Sequence, residues 1–92
     1  MAVSDDYLAK IRRAIRRSSG ELDTEIVDVI EECRLDLISL GVSKEKANDE
    51  SDSLILGAVR SFARWKFGVD DASREDYMLQ RDELRKRVDY VV

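Results

Sequence analysis

The stretch DTEIVDVIEECRLDLISLG, residues 23–41, decides the fold. Its apolar residues Ile26, Ile30, Cys33, Leu37 and Leu40 recur at alternating spacings of four and three, which places them on one face of a helix. Val29 and Ile38 widen that face, and acidic residues fill much of the remainder. Asp23 is placed to cap the helix, with Leu22 and Val27 as a hydrophobic staple. Gly41 follows the last apolar position, as a C-terminal glycine cap should, and Val42 can close over the final turn.

Upstream, the spacing of Leu8, Ile11 and Ile15 predicts a helix over 5–17. Ser4 is a suitable N-cap, and Asp5 and Asp6 suit the positive end of the helix dipole. Arg12, Arg13, Arg16 and Arg17 crowd the other end, before Ser18, Ser19 and Gly20 break the helix. Downstream, residues 43–52 are polar and acidic and read mainly as a loop, with one short turn open from Ser43 through Lys46 and Ala47. Asp52 or Ser51 then caps a third helix running to Phe67, with Leu54, Ile55, Ala58, Val59 and Phe62 as its stripe, Ala63 beside it and Gly68 as its stop. Gly57 inside it costs about 1 kcal/mol of helix propensity relative to alanine, which a close helix–helix contact would explain. After the linker 69–72, a fourth helix capped by Ser73 or Asp71 runs to Val88. Its apolar face is thin, made of Tyr77, Leu84 and Val88 with Met78 at the edge. The tail 89–92 ends in apolar residues expected to be exposed.

A chain of 92 residues is one domain's worth, spanning 1–92. Proline is absent and glycine occurs four times, so little interrupts helix formation. The expected fold class is all-α: a small bundle of about four helices, with a charged C-terminal helix free to protrude. A hydrophobic fraction of 43% allows a core, and a charged fraction of 39% leaves an ionic surface. The N-terminus lacks an apolar signal core, and no apolar run approaches the roughly 18 residues of a membrane span. No membrane association is therefore expected.

Histidine is absent, which removes histidine-based triads, metal ligands and the usual base near neutral pH. The single Cys33 cannot form an internal disulfide or a zinc knuckle. It reads as a small core residue in a reducing compartment, since neighbouring Glu31 and Glu32 disfavour a reactive thiolate. No phosphate-binding loop occurs, and the acidic run 44–52 lacks the glycine and alternating ligands of a calcium loop. Adjacent carboxylates such as Glu31 and Glu32 diverge on a helix and read as solvated surface. The expectation is a protein without catalytic apparatus, cofactor or metal.

The net charge of −4 is unevenly distributed. Residues 1–20 carry five basic and two acidic side chains, residues 21–52 three and eleven, and residues 53–92 eight and seven. Such segregation suits contact with further copies or other proteins through complementary faces. The cluster Lys10–Arg17 has three readings: a solvated helix face, a contact with a subunit or partner, or a grip on nucleic-acid phosphates. Trp65, between Arg64 and Lys66, reads as partly buried packing rather than a base-stacking platform.

The order of these signals resembles the head–tail connector family (head-completion or adaptor proteins) of long-tailed bacteriophages. The resemblance rests on the amphipathic LAKIRRAI at 8–15, the acidic-capped DTEIVDVI at 23–30, and Gly41-Val42 with the acidic loop after it. It continues through Asp52-Ser53-Leu54-Ile55, Ala58-Val59 and Phe62 to Phe67-Gly68, followed by a charged helix bearing a tyrosine. Ser53 stands where the family often has proline, a departure from the pattern. The resemblance implies a structural virion subunit. About twelve copies would form a ring beneath the portal, extend the DNA channel and present a platform to stopper or tail-completion proteins. DNA would be passing channel content only. The protein would sit at the head–tail interface of the virion, and in the host cytoplasm during assembly. The candidate assembly residues are Arg12, Arg13, Arg16 and Arg17 of the first helix and Arg81, Arg85, Lys86, Tyr90, Val91 and Val92 at the C-terminal end, which the family uses to dock on the portal. The competing readings are a DNA-binding helical module, such as a terminase small subunit or repressor, and a dimeric helical regulator or antitoxin-like protein.

Overall fold

In the computed structural model, which describes residues 3–17 and 20–92, the described residues form five α-helices. They are α1 (Asp5–Ala14), α2 (Asp23–Ser39), α3 (Lys44–Ala47), α4 (Ser53–Lys66) and α5 (Ser73–Arg85). The Ser4 hydroxyl accepts the Tyr7 amide at 3.1 Å, the Ser43 hydroxyl accepts the Lys46 amide, and one Asp52 carboxylate oxygen accepts the amides of Leu54 and Ile55. Each satisfies amides that the first turn of a helix leaves without partners. The loop expected at 43–52 therefore includes the single turn α3.

Three helices end in the same way. Gly41 and Gly68 take positive φ values of 104° and 66°, and the amides of Val42 and Val69 reach back to the carbonyls of Leu37 and Arg64. This is the glycine-ended closure expected after α2 and α4. At α1 an arginine does the same work: Arg16 has φ 61°, and the Arg17 amide reaches the Arg12 carbonyl at 2.9 Å. α1 thus stops at Ala14, short of the Arg17 end expected. The left-handed conformation costs a residue with a Cβ about 1–2 kcal/mol, so no side-chain preference announces this stop. The expected break at Ser18 and Ser19 lies outside the described residues.

Two caps differ from expectation. Asp23 begins α2 rather than capping it: Leu22 holds the cap position, after a 3₁₀ turn at Gly20–Leu22. The Asp23 carboxylate instead accepts two bonds from the Arg12 guanidinium, at 2.8 and 3.1 Å. With Leu22 at the cap, the staple geometry is not formed, and Leu22 and Val27 sit at the margin of the core. At α5 neither Ser73 nor Asp71 caps. Asp70 accepts both the amide and the hydroxyl of Ser73, which is itself buried. α5 ends at Arg85, so Val88 leaves the apolar face and is 90% exposed.

α2 and α4 pack against each other, α1 lies against both, and α5 lies along α4. Ile11, Ile26, Ile30, Cys33, Leu37, Ile55 and Val59 are buried completely between them, with Phe62 nearly so. On α4 the edge of the stripe is reversed: Leu56 is buried and Leu54 is exposed. α5 does not protrude. Tyr77 and Leu84 are buried against the body, and the Tyr77 ring meets Phe62 edge-on with centroids 4.9 Å apart. A Cβ added at Gly57 would lie 3.9 Å from Gln80 Nε2, an ordinary contact, so close helix packing does not require this glycine. The tail folds back onto the body. Val91 forms an antiparallel bridge with Val42, the Ser43 amide donates to the Tyr90 carbonyl at 2.7 Å, and the Val92 amide donates to the Gly41 carbonyl. No helix among the described residues is long and apolar enough to cross a membrane.

Candidate assembly surfaces

The candidate residues fall into groups with different surroundings. Arg13, Arg16 and Arg17 are exposed at the end of α1, and none makes an ion pair among the described residues. Arg12 is engaged with Asp23, whose carboxyl is held below its usual pKa chiefly by that hydrogen bond. Arg64 of α4 donates Nε to the Ala14 carbonyl at 3.1 Å, which brings α4 beside the α1 arginines.

The basic residues of α5 are largely neutralised within the chain. Arg81 Nε donates to Asp36 at 3.0 Å, while Arg85 and Lys86 both contact Asp82, at 2.7 and 2.9 Å. Asp36 also accepts the Tyr77 hydroxyl at 2.6 Å. An acid in place of Arg81 would set two carboxylates against each other beside a buried phenol, whereas Arg85 and Lys86 are exposed and pair only with Asp82 on the same turn of chain.

Tyr90, expected at an exposed docking surface, is a core residue, 6% exposed. Its hydroxyl donates to the second carboxylate oxygen of Asp52 at 2.6 Å, and Lys46 Nζ lies over its ring at 4.8 Å. Facing the Asp52 carboxylate pushes the Tyr90 pKa up to about 12. Val91 is half-buried in the bridge to Val42, and Val92 is 96% exposed. Of Tyr90, Val91 and Val92, only Val92 is freely presented.

Helical periodicity leaves Arg34 at the edge of the apolar face of α2, yet this charged residue is 1% exposed beneath α1. Its guanidinium lies over the Tyr7 ring and contacts Glu50 at 3.3 Å. Glu50 also accepts the hydroxyl and amide of Ser4, tying the start of α1 to the loop after α3. Burial pushes the Glu50 carboxyl up, but its bonds from Ser4 and Arg34 together hold it below its usual range. The position of Arg34 beside Cys33, one turn from Ile30 and at the edge of the apolar face, was the available signal. Burial pushes the Cys33 thiol up to about 12, consistent with packing rather than reactivity.

Exposed apolar side chains mark the remaining surface. Leu54 and Leu79 flank a groove between α4 and α5, floored by Gly57 and edged by Gln80, Glu83 and Arg87. Leu35, 60% exposed, stands on α2 beside a second depression formed with Trp65, Tyr77 and Met78. Trp65 is half-buried between Lys66 and Arg74 and edge-on to Phe62, so it packs as expected. Comparison with protein-family models, with curated proteins and with solved structures finds no match.

Proposed function

We propose that this chain is a head–tail connector subunit of a long-tailed bacteriophage, one of a ring of copies that sits beneath the portal, extends the DNA channel and joins the capsid to stopper or tail-completion proteins. It does structural work in the virion and reaches it from the host cytoplasm. The observation that carries this reading is the order of helix signals from Leu8 to Gly68, followed by the charged helix around Tyr77. Its support in the fold is a surface suited to contact: exposed Arg13, Arg16 and Arg17 at the end of α1, without an ion pair among the described residues, and the exposed leucines Leu35, Leu54 and Leu79. The test is electron microscopy of the purified protein mixed with the portal ring from the same genome. Annular density added below the portal is the expected result; bare portal rings at saturating protein would refute it.

The exposed Arg13, Arg16 and Arg17 favour one second reading, a DNA-binding helical module. A channel must let DNA slide, so the connector reading requires weak, sequence-independent binding by the single chain. Submicromolar affinity for a defined duplex at physiological salt would favour the second reading and sink the first.

A further inference from the structure

We infer that copies of this chain join head to tail, the outer face of α2 in one copy lying antiparallel along the outer strip of α4 in the next. The inference rests on the connector reading for why copies gather, and on the fold for which faces meet.

The two faces follow from helix geometry. On α2 the residues Ile26, Ile30, Cys33 and Leu37 point into the core, and Asp28, Glu31 and Leu35 lie on the opposite side. Leu35 is a large apolar side chain standing in an acidic surface. On α4 the residues Ile55, Val59 and Phe62 point inward, and Gly57, Arg60 and Arg64 form the half-exposed opposite strip. Because α2 and α4 pack core side to core side, their outer faces look away from each other. One copy therefore presents both halves of the contact on opposite flanks, the condition for a heterologous interface that propagates and closes if its rotation allows.

Shape and charge agree on the register. Gly57 leaves a gap in the α4 strip, and Leu54 and Leu79 rise beside it as apolar walls, so the strip offers a socket for a side chain such as Leu35. With Leu35 set over Gly57, antiparallel docking places Asp28 opposite Arg64 and Glu31 within one residue of the position opposite Arg60. Asp28 and Arg64 each lie seven residues from the socket contact, about 10.5 Å along either axis. Parallel docking would instead carry Arg60 to Ile38, at the margin of the core, and Arg64 past the end of α2 at Ser39, so charge selects the antiparallel direction. Asp28, Glu31 and Arg60 make no ion pair with the described residues of their own chain. Arg64 donates Nε to the Ala14 carbonyl and makes no ion pair among the described residues.

The test is proximity cross-linking of the full chain carrying Leu35→Cys and Gly57→Cys, at high concentration under a mild oxidant. Cys33 is fully buried and does not compete. Leu35 and Gly57 stand on the outward sides of two different helices, and the size of the product tells a disulfide between two chains from one within a chain. The expected result is a ladder of covalent multimers from the double variant, and no more than dimers from either single variant. Adding Glu31→Arg should lower the ladder yield several-fold, and adding Arg60→Glu to that should restore it. Far-UV circular dichroism checks that each variant is folded. A folded double variant that gives no ladder, or a ladder indifferent to Glu31→Arg, overturns the interface. A ring seen on the portal without this cross-link would leave the connector reading standing and the interface refuted. A ladder that responds to the charge swap, from a chain that never binds a portal, would support the interface and sink the connector reading.

Discussion

Replacing Tyr90 with alanine should destabilise the folded chain by about 3–5 kcal/mol, the usual cost of deleting a large buried aromatic. The ring is 6% exposed, and its loss opens a void beneath the tail, where Lys46 also packs. Phenylalanine separates the hydroxyl from the ring. The Tyr90 hydroxyl meets Asp52 at 2.6 Å, and hydrogen bonds to charged groups contribute about 1.5–3 kcal/mol. Asp52 is partly solvated, so Tyr90→Phe should cost about 1–1.5 kcal/mol, at or below the foot of that range. For a domain of this size each kcal/mol shifts the melting temperature by about 4–8 °C. The phenylalanine variant should then melt roughly 5–10 °C lower, and the alanine variant at least ~12 °C lower. Asp52→Asn provides the control, because asparagine still caps α4 while the charge facing Tyr90 is lost. The two single changes and the double change form a cycle that isolates the hydroxyl–carboxylate coupling. Thermal and urea unfolding followed by far-UV circular dichroism reads all of them. A Tyr90→Ala protein, or one lacking residues 89–92, that melts within about 2 °C of wild type would show that the tail is peripheral.

Ile30→Ala and Leu37→Ala should each cost about 2–5 kcal/mol, and Phe62→Ala about 3–5 kcal/mol, by urea denaturation; near-neutral values would mean the α2–α4 core is misassigned. Gly57→Ala should stabilise the chain by about 0.5–1 kcal/mol, since the added methyl meets only Gln80 Nε2 at 3.9 Å; a lower melting temperature would show that the site is tighter than this. Alkaline unfolding should be steep. Burial pushes Tyr7 up to about 12 and raises Tyr77 further, and Asp52 pushes Tyr90 up to about 12. The fold therefore holds these protons more tightly than the unfolded chain does, and their stabilisation is complete below about pH 10 and lost as pH rises through about 12. Near-ultraviolet tyrosinate absorbance should rise together with the loss of helix signal; three tyrosines titrating near pH 10 in a folded chain would contradict this.

The fold was most legible where one local signal acts without competition. Ser4, Ser43 and Asp52 cap the helices that follow them, and Gly41 and Gly68 end the helices that precede them. In each case the deciding bond lies within a few residues. Asp23 carries the same local signal, but Arg12, eleven residues earlier, claims its carboxylate. The tail departs from expectation for a stronger form of that reason. Its apolar residues look stranded after a charged helix, and what buries Tyr90 is Asp52, 38 residues away, together with the bridge from Val91 to Val42. Arg34 is the converse case, a charge that helical periodicity would leave at the rim until Tyr7 and Glu50 converge on it.

Charge segregation was legible as a pattern, but sequence alone could not say which charges are already taken. α5 looked like the docking helix because it is dense in charge, yet Arg81, Arg85 and Lys86 all have carboxylate partners in their own chain. What stays open is elsewhere: arginines at the end of α1 and along α4, and acids on the outer face of α2. Exposed ion pairs contribute only about 0–1 kcal/mol each, so two such pairs and one socketed leucine cannot hold a ring together at low concentration. Free copies should therefore associate weakly, and a ring should form when a template holds copies side by side and raises their effective concentration. That behaviour has a clear signature. Sedimentation of the free chain should show a concentration-dependent equilibrium that shifts toward monomer as salt rises, because the aligning pairs are solvent-exposed and screened. A salt-insensitive, stable oligomer would mean that an apolar surface other than the Leu35 socket dominates the contact.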